Sequence, residues 1–207
     1  MKSIPPHFLS LYTAALAVLA KINSAQQEVL ISENIMAQQD KIPGHNNAVY
    51  DIVPKEDQIF SVEFLEIVPT PIIADHVFFV YLRGHLPESK KKELELLDEG
   101  LVNATFTVSL SAIYADGNHD EETSYTEPLK TTPFGPLGHL TIRDTRGVQV
   151  DYIPSSGSSE ILLDFQILAM FLRSGMWTFK VDLRLGDVDN TCLFAGSLTQ
   201  WLEGRLH

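Results

Sequence analysis

The chain has 207 residues, with 15 Lys and Arg against 27 Asp and Glu and a formal net charge of -12. That balance argues against a nucleic-acid partner, which needs clustered Lys and Arg, and against docking on anionic membrane by charge alone. Hydrophobic residues make up 44% and charged ones 20%, as in a folded domain, and the one cysteine, Cys192, excludes an internal disulfide and a cysteine zinc site.

Lys2 precedes Pro5, Pro6 and the uncharged apolar run Phe8 to Ala20. A positive start and a short apolar run form the pattern of a secretory signal, and a spanning helix would need roughly 20 residues. Residues 1–25 are therefore expected to be a signal peptide, cleaved after Ala20 or Ala25, with an uncleaved anchor or a buried first helix as the alternatives. Loss of Lys2 and Lys21 would take the net charge from -12 to -14. Residues 26–47 are polar and rich in Gln and Asn, and read as a flexible lead-in or propeptide with at most a short helix around Glu28 to Gln38.

Residues 48–203 carry strands separated by turns. Expected strands run over Ile59 to Ile67, His76 to His85, Leu101 to Tyr114, Glu122 to Lys130, Leu140 to Ile142 and Val148 to Tyr152. Three more run over Ile161 to Leu172, Trp177 to Leu185 and Cys192 to Gln200. The alternation is clearest where Val102, Ala104, Phe106, Val108, Leu110, Ala112 and Tyr114 interleave with Asn103, Thr105, Thr107, Ser109 and Ser111. Turn residues divide the strands at Pro69-Thr70-Pro71, Asp116-Gly117-Asn118, Gly135-Pro136, Ser155 to Gly157, Ser174-Gly175 and Gly186-Asp187. Only Pro87 to Asp98 reads as helical. The expected fold is all-β, an antiparallel sandwich or barrel with one short helical segment near 88–98. Asn103-Ala104-Thr105 is a glycosylation sequon on the wet side of its strand, with meaning only if the chain is secreted.

The motifs of catalysis are missing. There is no G-x-S-x-G, HExxH, P-loop or G-x-G-x-x-G, and the seven histidines are scattered. Asp116, Asn118, Asp120, Glu122 and Glu127 follow a calcium-loop count, but its sixth place is Glu121 where glycine is needed, so a solvated acidic hairpin is expected. No catalytic residue, metal ligand or cofactor is expected. What stands out is a set of large rings assigned inward: Phe60, Phe64, Phe78, Phe79, Phe106, Phe165, Phe171, Trp177, Phe179 and Phe194. They fit either a packed core or the walls of a dry cavity that accepts an apolar guest.

Phe60-Ser-Val-Glu-Phe-Leu-Glu-Ile-Val-Pro-Thr-Pro71, followed by Phe78 to Leu86 ending Arg-Gly-His-Leu, resembles the opening of the ML lipid-recognition domain. Gly175-Met-Trp-Thr-Phe-Lys-Val-Asp-Leu183 resembles a late strand of that family, and Asn190-Thr191-Cys192-Leu193 its cysteine-bearing last strand. The likeness spans roughly Val49 to Gln200.

The resemblance implies an immunoglobulin-like sandwich of two sheets with a lipid cavity between them. It also implies a secreted or vacuolar/lysosomal carrier without enzymatic activity, holding a sterol or phospholipid tail and touching membranes transiently. A long acyl chain in water costs on the order of 10 kcal/mol at about 0.8 per CH₂, a cost that such a cavity removes. Alternation and resemblance together give the pocket candidates Phe64, Phe79, Phe106, Val108, Phe165, Ile167, Trp177, Phe179 and Phe194. The chain departs from the family in its cysteines: the partner expected for Cys192 would fall near Tyr50 or Asp51, and a further pair is missing around Asp116 to Thr132. Two other readings compete: a sandwich with a filled core that binds proteins, and a hydrolase or cyclase on a sandwich scaffold.

Overall fold

Period-two alternation gives each strand one apolar face, and the chain buries those faces by stacking two antiparallel sheets. The computed structural model describes residues 41–51, 53–94, 100–133, 138–186 and 191–205. The expected signal peptide, the lead-in up to residue 40 with its short helix, the Gly135-Pro136 turn, Asp187 and Asn190 lie outside the described residues.

Among the described residues the elements are β1 (Val49–Tyr50), β2 (Ser61–Val68), β3 (Val77–His85), α1 (Glu88–Glu93), β4 (Ala104–Tyr114) and β5 (His119–Pro128). They continue as β6 (Thr132–Pro133), β7 (Gly138–Arg143), β8 (Gln149–Val150), β9 (Ser158–Gln166), β10 (Gly175–Leu185) and β11 (Thr191–Leu202). One sheet has the order β1-β11-β10-β4-β5 and the other β2-β3-β9-β7-β6, with β8 pairing on β7. The fold is an all-β sandwich. The β4–β5 turn forms because Asp116 Oδ1 accepts the Asn118 N–H at 3.0 Å while Gly117 takes φ 84°.

Several elements differ from expectation for local reasons. The strand expected over Ile161 to Leu172 ends at Gln166 and is followed by a 3-10 turn at Ala169–Phe171. Asp75 draws the chain out of the sheet there: its carbonyl accepts from Gln166 Nε2 and its carboxylate from the Ala169 N–H, both at 2.9 Å. Phe171 is consequently 67% exposed and not a core ring. Val148 to Tyr152 shortens to the two residues of β8; of the helix expected over Pro87 to Asp98, Glu88–Glu93 forms α1, and residues 95–98 lie outside the described residues. Asn103 is exposed, as expected, but in a turn just before β4.

Residues 41–47, expected to belong to the flexible lead-in, are built into the sandwich. Leu65 N–H donates to the Pro43 carbonyl at 2.7 Å and Ile67 N–H to that of His45 at 3.4 Å, so this segment lies along β2. Lys41 then bridges Val49, and Val49 and Tyr50 pair with Ser197 and Gly196 of β11. The chain thereby joins the two sheets at one edge. Asn46, 4% exposed, locks the crossing: its amide donates to Leu65 O at 2.9 Å and its Oδ1 accepts from Ala48 N–H at 2.8 Å.

Candidate functional site

Between the sheets lies a cavity of about 310 Å³ whose walls come from both. In β4 and β10 alternate residues face it, because Thr107, Ser109, Lys180 and Asp182 take the other side: Phe106, Val108 and Leu110 pair with Leu183, Val181 and Phe179, and Trp177 extends the row. Phe194 and Leu198 of β11 extend this wall. The opposite wall is formed by Leu65 and Ile67 of β2, Phe78, Val80 and Leu82 of β3, and Ile161, Leu163 and Phe165 of β9. Among the described lining residues, Ser197 carries the one polar side chain. Phe78 and Phe165 meet edge to face at 6.1 Å. The Trp177 ring nitrogen donates to the Arg173 carbonyl at 3.1 Å, which leaves the rest of the indole free to act as an apolar wall.

Of the nine candidates read from the sequence, Phe106, Val108, Phe165, Ile167, Trp177, Phe179 and Phe194 line the cavity. Phe64 and Phe79 do not. Phe79 points away from the cavity, 44% exposed, because β3 buries Phe78, Leu82 and Gly84 and turns Phe79 and Arg83 outward. In β2 a register shift between Val62 and Phe64 changes which parity faces inward, so Leu65 and Ile67 enter the cavity. Phe64 instead packs outside the cavity against His45 at 5.6 Å and Tyr81 at 6.3 Å. The missed wall residues Leu110, Val181 and Leu183 share the parity of the candidates in their strands. Those in β2 and β3 were marked by Glu66 and Arg83, whose charges belong in water.

The two long edges of the cavity differ. Beyond the crossing at residues 41–50, Gln58 clamps the chain to β11, donating to Ala195 O at 3.0 Å and accepting from Ala195 N–H at 3.0 Å. Ile59 N–H also donates to Cys192 O at 3.0 Å. These contacts hold the early segment to the last strand. Tyr50 pairs with Gly196 rather than Cys192, and its ring packs on Phe194 at 6.3 Å. Cys192 is buried with its sulfur 4.0 Å from Asp182 Oδ1; burial, then the Asp182 charge, push its thiol up to about 11.

At the other edge, the ten residues of β5 have as their counterpart in the second sheet, among the described residues, only the two-residue strands β6 and β8 on the free side of β7. The inner row of β5 is Thr123, Tyr125 and Glu127, paired with the cavity-facing Leu110, Val108 and Phe106. Tyr125 is nevertheless 53% exposed. Its hydroxyl donates to Glu127, which raises its pKa. Past a register shift, Asp120 accepts from the Tyr114 hydroxyl, whose pKa is raised by burial first and by that carboxylate second. In the hairpin turn Asp116 pairs with Arg173 at 2.6 Å, whose guanidinium lies 4.2 Å over the Tyr114 ring, and on the outer side Glu122 pairs with Lys180 at 2.5 Å. Among the described residues no three His, Cys, Asp or Glu side chains come together as a metal site.

No family model matches the chain, and no curated protein is significantly similar to it. The cavity therefore carries the functional argument.

Proposed function

We propose that the protein is a non-enzymatic lipid carrier of the ML kind, which holds the apolar part of a lipid between its two sheets. The observation that carries this reading is the 310 Å³ cavity with almost wholly apolar walls. That volume lies at the lower end of the range for small-molecule sites, roughly 300–1,000 Å³, and a dry apolar cavity accepts apolar guests. It also favours a carrier over a filled-core interaction module. Carriage works by equivalence: a chain shielded by Phe106, Phe179 and their neighbours loses the hydration cost of about 0.8 kcal/mol per CH₂, as it does in a bilayer, so exchange between the two is nearly balanced.

A carrier must touch the membrane it loads from, and one end of the sandwich suits brief contact. Ile73, Met170 and Phe171 are 48%, 54% and 67% exposed there. The loops bearing them are tied by Asp75, whose N–H donates to Ile167 O at 2.8 Å and whose carboxylate accepts from Arg205 at 2.8 Å. Cavity-lining Ile72 and Leu172 are the chain neighbours of Ile73 and Phe171. The sequence's net charge of -12 disfavours lasting attachment to anionic lipid. With the signal-like first residues, the reading places the protein outside the cell or in the lumen of a vacuole or lysosome.

Mass spectrometry of lipids extracted from protein purified from a secreting host tests the reading. Stoichiometric lipid is expected on the native chain. Phe179→Asp, which puts a carboxylate into the apolar wall, should lose it, and Phe79→Ser on the outer face should keep it. Lipid retained by a folded Phe179→Asp variant would defeat the assignment.

A further inference from the structure

The dimensions and the rim of the cavity narrow the ligand beyond a lipid in general. We infer that the cavity takes one chain of about a dozen carbons, and that the head it leaves at the open edge is not anionic; this rests on the lipid-carrier reading above. An apolar cavity of about 150 Å³ is filled by a six-carbon ring, so one of 310 Å³ has room for roughly twelve carbons. A sterol nucleus with its tail, or two acyl chains side by side, exceeds that space.

The walls offer a head group almost nothing. Ser197 is the one polar side chain among the described lining residues, and burying an unpaired polar group is costly, so the head must stay in water. The edge that can release it is that of β5. Lining residue Val108 pairs with Tyr125, which lies just outside the cavity and is 53% exposed, so the row Thr123, Tyr125 and Glu127 is assigned as the rim where the chain leaves it. The opposite edge is sewn shut by residues 41–50. Asp120 and Glu127 on the inner side of β5 each accept from a tyrosine hydroxyl. In a chain of net charge -12, such a rim repels a carboxylate or phosphate monoester and tolerates a zwitterionic or uncharged head. A single-chain zwitterionic lipid, such as a lysophosphatidylcholine with a dodecanoyl chain, has both features.

The test is a titration of the full chain with lysophosphatidylcholines of about eight to eighteen carbons, each below its micelle concentration, followed by the fluorescence of Trp177 in the wall. Affinity should rise roughly tenfold for every two carbons up to about twelve and then level off. Dodecanoate should bind at least about tenfold more weakly than the dodecanoyl lysolipid at the same ionic strength, and less so in high salt. Cholesterol should not compete. Val108→Trp should move the optimum to shorter chains, and Leu110→Phe should do the same if the first variant melts early. Affinity that keeps rising to eighteen carbons, tight cholesterol binding, an optimum unmoved in a folded variant, or dodecanoate binding as well as the lysolipid would each overturn the inference while leaving the carrier reading intact. Binding of none of the panel would overturn both.

Discussion

At the β1–β2 edge the chain crosses between the sheets and is held by backbone pairing and by the side-chain amides of Asn46 and Gln58. At the β5 edge a ten-residue strand faces, among the described residues, two strands of two residues each, and its inner row stands half in water. The contrast shows how a sandwich can keep a cavity: one edge fixes the spacing of the sheets so that the other can part without unravelling the fold. Amides with several backbone partners, Asn46 buried and Gln58 half-buried, provide that fixation in a chain whose single cysteine cannot.

Substitutions can break the contrast, and the largest effect belongs to the sewn edge. Gly44 has φ 123°, and a Cβ there would overlap the Leu65 backbone, so Gly44→Ala should cost about 3 kcal/mol or more in urea unfolding. Asn46→Ala comes next: it leaves the Ala48 N–H and Leu65 carbonyl without their partner and should cost about 2 kcal/mol. On the open side Gly117 also has positive φ, at 84°, but nothing stands within 4 Å of a Cβ there, so Gly117→Ala should cost only about 1 kcal/mol, from backbone strain alone. Equal losses at Gly44 and Gly117 would erase the distinction between the edges.

The smallest effect concerns Cys192, on β11 beside the sewn edge. Its native thiol sits at about 11, against about 8.5 in an unfolded chain. Because the folded value is raised, only the unfolded chain ionises this group as pH climbs between those values, so its contribution to stability is complete below the window and declines through it. A maleimide should label Cys192 slowly in native protein under mildly alkaline conditions and rapidly in urea; fast native labelling would mean that this edge opens.

Much of the fold was legible because period-two alternation is a local property. Thr107 and Ser109 mark the wet side of β4, Lys180 and Asp182 that of β10, and the opposite residues line the cavity. Phe64 and Phe79 are large rings on the wet parity of their strands: Glu66 and Arg83 share their parities and belong in water. The register shift after Val62 has no local signal, since it depends on the pairing of β2 with β3. The segment 41–47 looked flexible because its order comes from Leu65, Ile67 and the last strand, all distant in sequence. Whether alternating sheets pack closely or part is likewise not written in the alternation, which is identical for both.

The most direct measurement is of contact inside the cavity: nuclear Overhauser effects between the methylene protons of a dodecanoyl lysolipid and the methyl groups of Val108 and Val181. Cross-peaks from the chain to both valines, absent in Phe179→Asp, are predicted. Cross-peaks confined to outer residues such as Phe79 or Ile73 would contradict the claim that this protein carries its ligand between the sheets.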